Sequence, residues 1–74
     1  MLNLENLRQF VAFADCGTLV AAAKKCHISQ PTITRTMQVI EEDFGVLLFE
    51  RKKNRISFND TGLLAVTHAR TVLA

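Results

Sequence analysis

The sequence has few of the features that mark an enzyme, a metalloprotein or a membrane protein. One proline, three glycines and no low-complexity tract leave no case for a disordered linker among its 74 residues. Cys16 and Cys26 lack CxxC spacing, and with only two histidines in the chain they make no convincing tetrahedral ligand set. Each thiol falls near the end of a predicted helix at an apolar position, so both read as small core residues in preference to a disulfide or redox pair. Apolar runs stop far short of a membrane span, and Glu5 and Arg8 interrupt the stretch that a signal peptide would need. The expectation is a cytoplasmic chain with no membrane partner. No nucleophile–base pair or glycine-rich phosphate loop stands out, and His27 and His68 lie far apart, so neither catalysis nor a cofactor is expected.

What is present is a 49% apolar composition, enough for one small helical domain, and a net charge of only +2. The placement of charge says more than its sum. Arg51, Lys52, Lys53 and Arg55 crowd into five residues, while Glu41, Glu42 and Asp43 cluster upstream. One end of the domain should therefore be positive although the whole is nearly balanced.

The stretch TLVAAAKKCHISQPTITR, residues 18–35, reads as two short helices joined by a tight turn. A first helix is expected from after Asn3 to about Cys16, burying Leu4, Leu7, Phe10, Val11 and Ala14. Phe13 lies off the centre of that stripe and predicts a second contact, with the C-terminal helix or another subunit. Gly17 suits a left-handed C-cap, and Thr18 caps a helix over Leu19–Cys26, whose alanines permit close approach of a crossing helix. His27 and Ile28 form the turn. Ser29 caps a third helix with Pro31 in its first turn, and Gly45 ends it. Ile33, Met37, Ile40 and Phe44 make its apolar stripe, leaving Gln30, Thr34, Arg35 and Gln38 on another side with Pro31 and Thr32 at the tip.

Leu47, Leu48 and Phe49 lead into a hairpin whose tip is placed at residues 51–55 and whose return strand runs from Ile56 to Phe58. Asn59 caps a last helix, in which Leu63, Val66, Arg70 and Leu73 recur at a/d-like spacing and predict, with Phe13, a dimer contact. The fold class is mainly α: a three-helix core plus a two-stranded β wing over residues 1–58, followed over 59–74 by the start of a linker or dimerisation helix.

This order of parts points to double-stranded DNA. The helix over about 29–44 would enter the major groove, where a helix start offers unpaired N–H groups and a partial positive charge. Thr18 and Ser29 could add hydroxyl contacts to phosphate. Gln30 or Gln38 can pair with adenine, Arg35 with guanine, and Thr32 or Thr34 can lay a methyl against thymine. Arg51, Lys52, Lys53 and Arg55 would reach flanking backbone or minor groove. The competing reading is a winged-helix module that binds protein or only dimerises, since fold alone does not settle function.

The run from Gly17 through Ala22 and Ala23, the His27–Pro31 segment, Thr34 and Arg35, Ile40 and Glu41, Gly45, Leu48 to Arg51, and Gly62 resembles the N-terminal domain of LysR-type transcriptional regulators. The likeness covers nearly the whole chain. It implies a winged helix-turn-helix, a long linker helix through which two subunits pair, higher oligomers in a full-length protein, and a C-terminal domain for a small-molecule effector outside this sequence. Residue by residue it carries the DNA-facing role to Gln30, Pro31, Thr34, Arg35 and the wing, with caps at Thr18 and Ser29. Thr18 and Thr34 stand where serine is more usual, Cys26 for leucine, Leu19 for phenylalanine and Asn59 for threonine.

Overall fold

The computed structural model describes residues 3–74 as four helices and one hairpin: α1 Leu4–Cys16, α2 Leu19–Cys26, α3 Gln30–Phe44, β1 Phe49–Lys52, β2 Arg55–Phe58 and α4 Asp60–Leu73. The helix starts follow local chemistry. Asn3, Thr18, Ser29 and Asn59 are extended, and each side chain accepts a backbone N–H three residues on, from Asn6, Ala21, Thr32 and Gly62. Each such cap contributes about 1 kcal/mol by satisfying one orphan donor. Gly17 and Gly45 end α1 and α3 in the left-handed region. α2 ends the same way on His27, at φ 59°, with Ile28 N–H bonded back to the Ala23 carbonyl. His27 is exposed, and Ile28 is half-buried against the core beneath the turn.

Phe10, Phe13, Ile33, Met37, Ile40 and Leu48 form the fully buried centre, drawn from α1, α3 and the entry to β1. The hairpin is docked by aromatic contact. Phe49 and Phe58 face one another across the ladder, with Arg51 opposite Ile56 and Lys52 opposite Arg55. The Phe10 ring meets Phe49 and Phe58 edge-on at 5.9 and 5.4 Å, and Phe13 lies tilted on the same two rings. A two-stranded ribbon is marginal alone, so this cluster is what holds it. The turn is the residue pair Lys53 and Asn54, with φ 48° and 65°, the left-handed backbone that a two-residue hairpin loop demands. The tip is thus narrower than residues 51–55, because Arg51, Lys52 and Arg55 lie within strands.

Three expectations need correction. Phe13 faces the core, not a second subunit: it is 1% exposed because Phe49 and Phe58 come to it from the hairpin. Phe44, at the last turn of α3, is exposed where the stripe predicted burial, and Leu4 at the start of α1 is exposed too. The a/d-like positions of α4 do not form one outward seam: Val66 and Leu73 face inward, while Leu63 and Arg70 are exposed. Val66 is buried beside Ala65 and Ala69 in a face packed on α1, and Leu73 is half-buried against the core. Arg70 is held within the chain, donating to Asp15 on α1 at 2.6 Å. Leu63, Leu64 and Val72 are the apolar residues that α4 exposes.

The Arg70 hydrogen bond is the leading cause holding the Asp15 carboxyl below its ordinary value near 3.8; desolvation opposes it, and the charges of Arg70 and Lys25 assist. The folded state therefore favours the ionised acid. Stability from the pair is present above pH 3.8 and fades as pH falls through the lower folded-state value. Asp15→Asn is expected to lower the thermal midpoint slightly at neutral pH, as for an exposed pair, with the difference from the parent closing as pH falls through the lowered folded-state value. Melts across the acid range check this; a gap that persists in acid assigns the loss to another cause. No helix among the described residues is long and apolar enough to cross a membrane.

Candidate nucleic-acid interface

The polar side of α3 and the starts of two helices come together on one surface. Ser29 is extended, so the chain turns sharply into α3 and leaves Gln30, Pro31 and Thr32 exposed at its tip. Ile33, Met37 and Ile40 are fully buried, which fixes the rotation of the helix. That rotation sets Gln30, Pro31, Thr34, Arg35 and Gln38 around one open concavity of about 480 Å³. Arg35 and Gln38 are exposed and Thr34 half-exposed. The face thus offers amide, guanidinium and hydroxyl groups without a carboxylate among its lining residues.

A second, narrower groove of about 200 Å³ joins three elements. Thr18 and Leu19 at the start of α2, Gln30 at the start of α3, and Asn54 and Arg55 at the turn of the hairpin line it. Two helix N-termini, each with a partial positive charge and unpaired N–H groups, therefore border it beside a cation. The Thr18 hydroxyl accepts from Ala21 N–H at 3.1 Å, which leaves its own proton available to an acceptor outside. Ser29 and Thr32 share a hydroxyl–hydroxyl bond of 2.8 Å, and Ser29 also accepts from Thr32 N–H. The pair is thus held by the helix start and still has a proton to donate outward.

The basic hairpin divides its charges. Strand alternation puts Lys52 and Arg55 opposite one another on the face away from Phe49 and Phe58, with Lys53 at the turn. Arg51 shares the inward face with Phe49, and its guanidinium lies 3.6 Å from the Glu41 carboxylate. Glu41 also accepts from the backbone N–H groups of Leu48 and Phe49 at 2.9 and 3.2 Å. The acidic cluster seen in the sequence thus contains one residue with a specific task at the root of the hairpin. Nothing in residues 41–43 alone distinguishes Glu41 from its neighbours.

The cysteines take no part in this surface. Both thiols are free and half-buried, and burial, ahead of the nearby Glu5, pushes Cys26 up. Among the described residues no group of His, Cys, Asp and Glu could hold a metal ion.

Known proteins share this arrangement. Residues 4–63 match the model of the bacterial regulatory helix-turn-helix proteins of the lysR family. The chain is 42% identical to the HTH-type transcriptional regulator TcbR of Pseudomonas sp. (strain P51) over 97% of its own length and 24% of the relative's. It is 39% identical, with the same coverage, to the DNA-binding transcriptional dual regulator OxyR of Escherichia coli (strain K12). It thus spans about a quarter of the curated relatives it matches. Among solved structures, the CbnR DNA-binding domain in complex with DNA superposes with a TM-score of 0.89 at 42% identity, covering 97% of this chain and 83% of that one. The BenM domain bound to benA site 1 DNA gives 0.88 at 32% identity, covering 97% and 84%. With the matched residues spanning all three core helices, the hairpin and the start of α4, the chain belongs to the lysR family of bacterial regulatory helix-turn-helix proteins and forms their winged DNA-binding domain.

Proposed function

We propose that this domain reads double-stranded DNA by sequence, with α3 in the major groove and the hairpin on flanking backbone or minor groove, in the cytoplasm of a bacterium. The observation that carries the reading is the convergence of Gln30, Pro31, Thr34, Arg35 and Gln38 on one concave face beside two capped helix starts. Arg35 can grip guanine O6 and N7, and Gln30 or Gln38 can pair with adenine N6 and N7. Thr34 offers a methyl to thymine, and Thr32 stands at the tip beside Ser29. Thr18, Ser29 and the cations Lys52, Lys53 and Arg55 hold phosphates, which fix register without reading sequence. Two copies pair through the outer face of α4, where Leu63, Leu64 and Val72 are 55%, 65% and 59% exposed. Such a pair presents two recognition helices to a two-fold symmetric site.

Selection of duplexes from a randomised library, with the chain fused to a dimerising helix, tests this. The expected product is a two-fold symmetric motif. Arg35→Ala is expected to blur one position of it, costing about 1–3 kcal/mol of discrimination, or roughly 5- to 150-fold. Equal weakening of selected and random duplexes by Arg35→Ala would remove the base-reading role. Retention of every duplex alike, lost as salt rises, would reduce the function to backbone attraction.

A further inference from the structure

We infer that Glu41 is a positioning residue for the DNA-binding surface: it fixes the wing to the recognition helix and gives Arg51 a counter-charge that competes with nucleic acid for it. The inference rests on the DNA-binding reading above. Glu41 lies in the last turn of α3, where a carboxylate opposes the helix dipole and has no local helical reason to be. Its surroundings supply one. One carboxylate oxygen receives two successive backbone donors, Leu48 N–H and Phe49 N–H, where the chain enters β1. The other oxygen lies 3.6 Å from the Arg51 guanidinium; the Glu41 side chain is 12% exposed, while that of Arg51 is 51% exposed, so the pair is a half-open one that Glu41 anchors from below. A single acid thus holds the first strand of the wing at its root and again two residues further along.

This changes how the wing's charge is counted. Of the four cations read from the sequence, Arg51 shares the inward face of the ribbon with Phe49 and already has a counter-charge. A paired arginine brings its anion with it and adds little to the ion release that drives binding to phosphate. Lys52 and Arg55 face one another on the outer side, with the exposed Glu50 two residues from Lys52 on the same face; the directly opposed like charges repel, and an incoming phosphate relieves them. The structure assigns three working cations to the wing, Lys52, Lys53 and Arg55, and a structural role to the fourth.

Salt titrations of the chain on a random-sequence duplex test the assignment without knowledge of its preferred site. Each lost phosphate contact lowers the slope of log affinity against log salt by about 0.9. Lys52→Met is expected to lower the slope by about that amount and Arg51→Met to leave it unchanged. In Glu41→Gln the amide oxygen still accepts from Leu48 and Phe49, but Arg51 loses its counter-charge, so the slope is expected to steepen by about one contact. A merely structural role for Glu41 would change stability without steepening the slope. Equal falls for Arg51→Met and Lys52→Met, or an unchanged slope for Glu41→Gln, overturn the proposal and leave DNA binding standing. A parent chain with no salt-dependent affinity for duplex overturns both. Where Glu41→Gln is too unstable to study, the comparison of Arg51→Met with Lys52→Met decides.

Discussion

Gly62→Ala is expected to destabilise the domain by about 3 kcal/mol, although alanine is the better helix former by about 1 kcal/mol. Gly62 is buried in the first turn of α4, where the helix crosses the segment entering β1. A Cβ at this position would stand 2.1 Å from the Leu48 carbonyl oxygen and 3.0 Å from the Phe58 ring. The oxygen cannot step aside. It accepts from Asn59 N–H at 3.0 Å, and the Leu48 N–H is bonded to Glu41. Relief requires lifting α4, which strains the Asn59 cap, the Asn59 amide bond to the Leu47 carbonyl, and the packing of Ala65 and Val66. A domain of this size has a total stability of roughly 4–11 kcal/mol, so the loss is a large share of the whole. Urea denaturation of the variant measures it; an unchanged or raised midpoint would disprove the close approach of α4 to the Leu48 carbonyl.

Phe10→Ala is expected to cost about 3–5 kcal/mol, the range for truncating a fully buried aromatic ring. The Phe10 ring has no exposed surface and meets the rings of Phe49 and Phe58 edge-on. Its removal opens a cavity beneath both strands, at the place where the hairpin is fastened to α1. The loss should therefore appear in two measurements: a lower denaturation midpoint, and faster amide exchange in β1 and β2 than in α3. Phe44→Ala is the control, since that residue is 38% exposed and should cost about 1–2 kcal/mol, well below Phe10→Ala. Comparable losses for the two variants would contradict the assigned core.

Helix boundaries were legible in the sequence because their causes are local. Asn3, Thr18, Ser29 and Asn59 bond to N–H groups three residues away, and Gly17 and Gly45 supply a backbone turn where they stand. The exposed polar set on α3 was legible for a related reason: subtracting Ile33, Met37 and Ile40 leaves Gln30, Thr34, Arg35 and Gln38. What escaped depends on distant partners. Phe13 is off the stripe of its own helix and is buried only because Phe49 and Phe58 arrive from the hairpin. Arg70 stands at dimer-seam spacing in the sequence, and its partner Asp15 lies on a helix near the other end of the chain. Glu41 was one acid among three. Gly62 was one motif residue among many, and the carbonyl that explains it has no sequence signature.

The aromatic rung at the base of the hairpin has a consequence for redesign. Phe49 and Phe58 root the ribbon, Glu41 grips it through the Leu48 and Phe49 N–H groups and pairs with the half-exposed Arg51, and past Arg51 the residues Lys52, Lys53, Asn54 and Arg55 are all exposed. These four residues form a cassette that can be rewritten in charge, hydrogen bonding or bulk without repacking the interior. One rule governs what may be grafted there. The second and third residues must tolerate left-handed backbone, which favours asparagine, aspartate and glycine in that pair. The same scaffold could then carry a range of hairpin tips beside an unchanged α3.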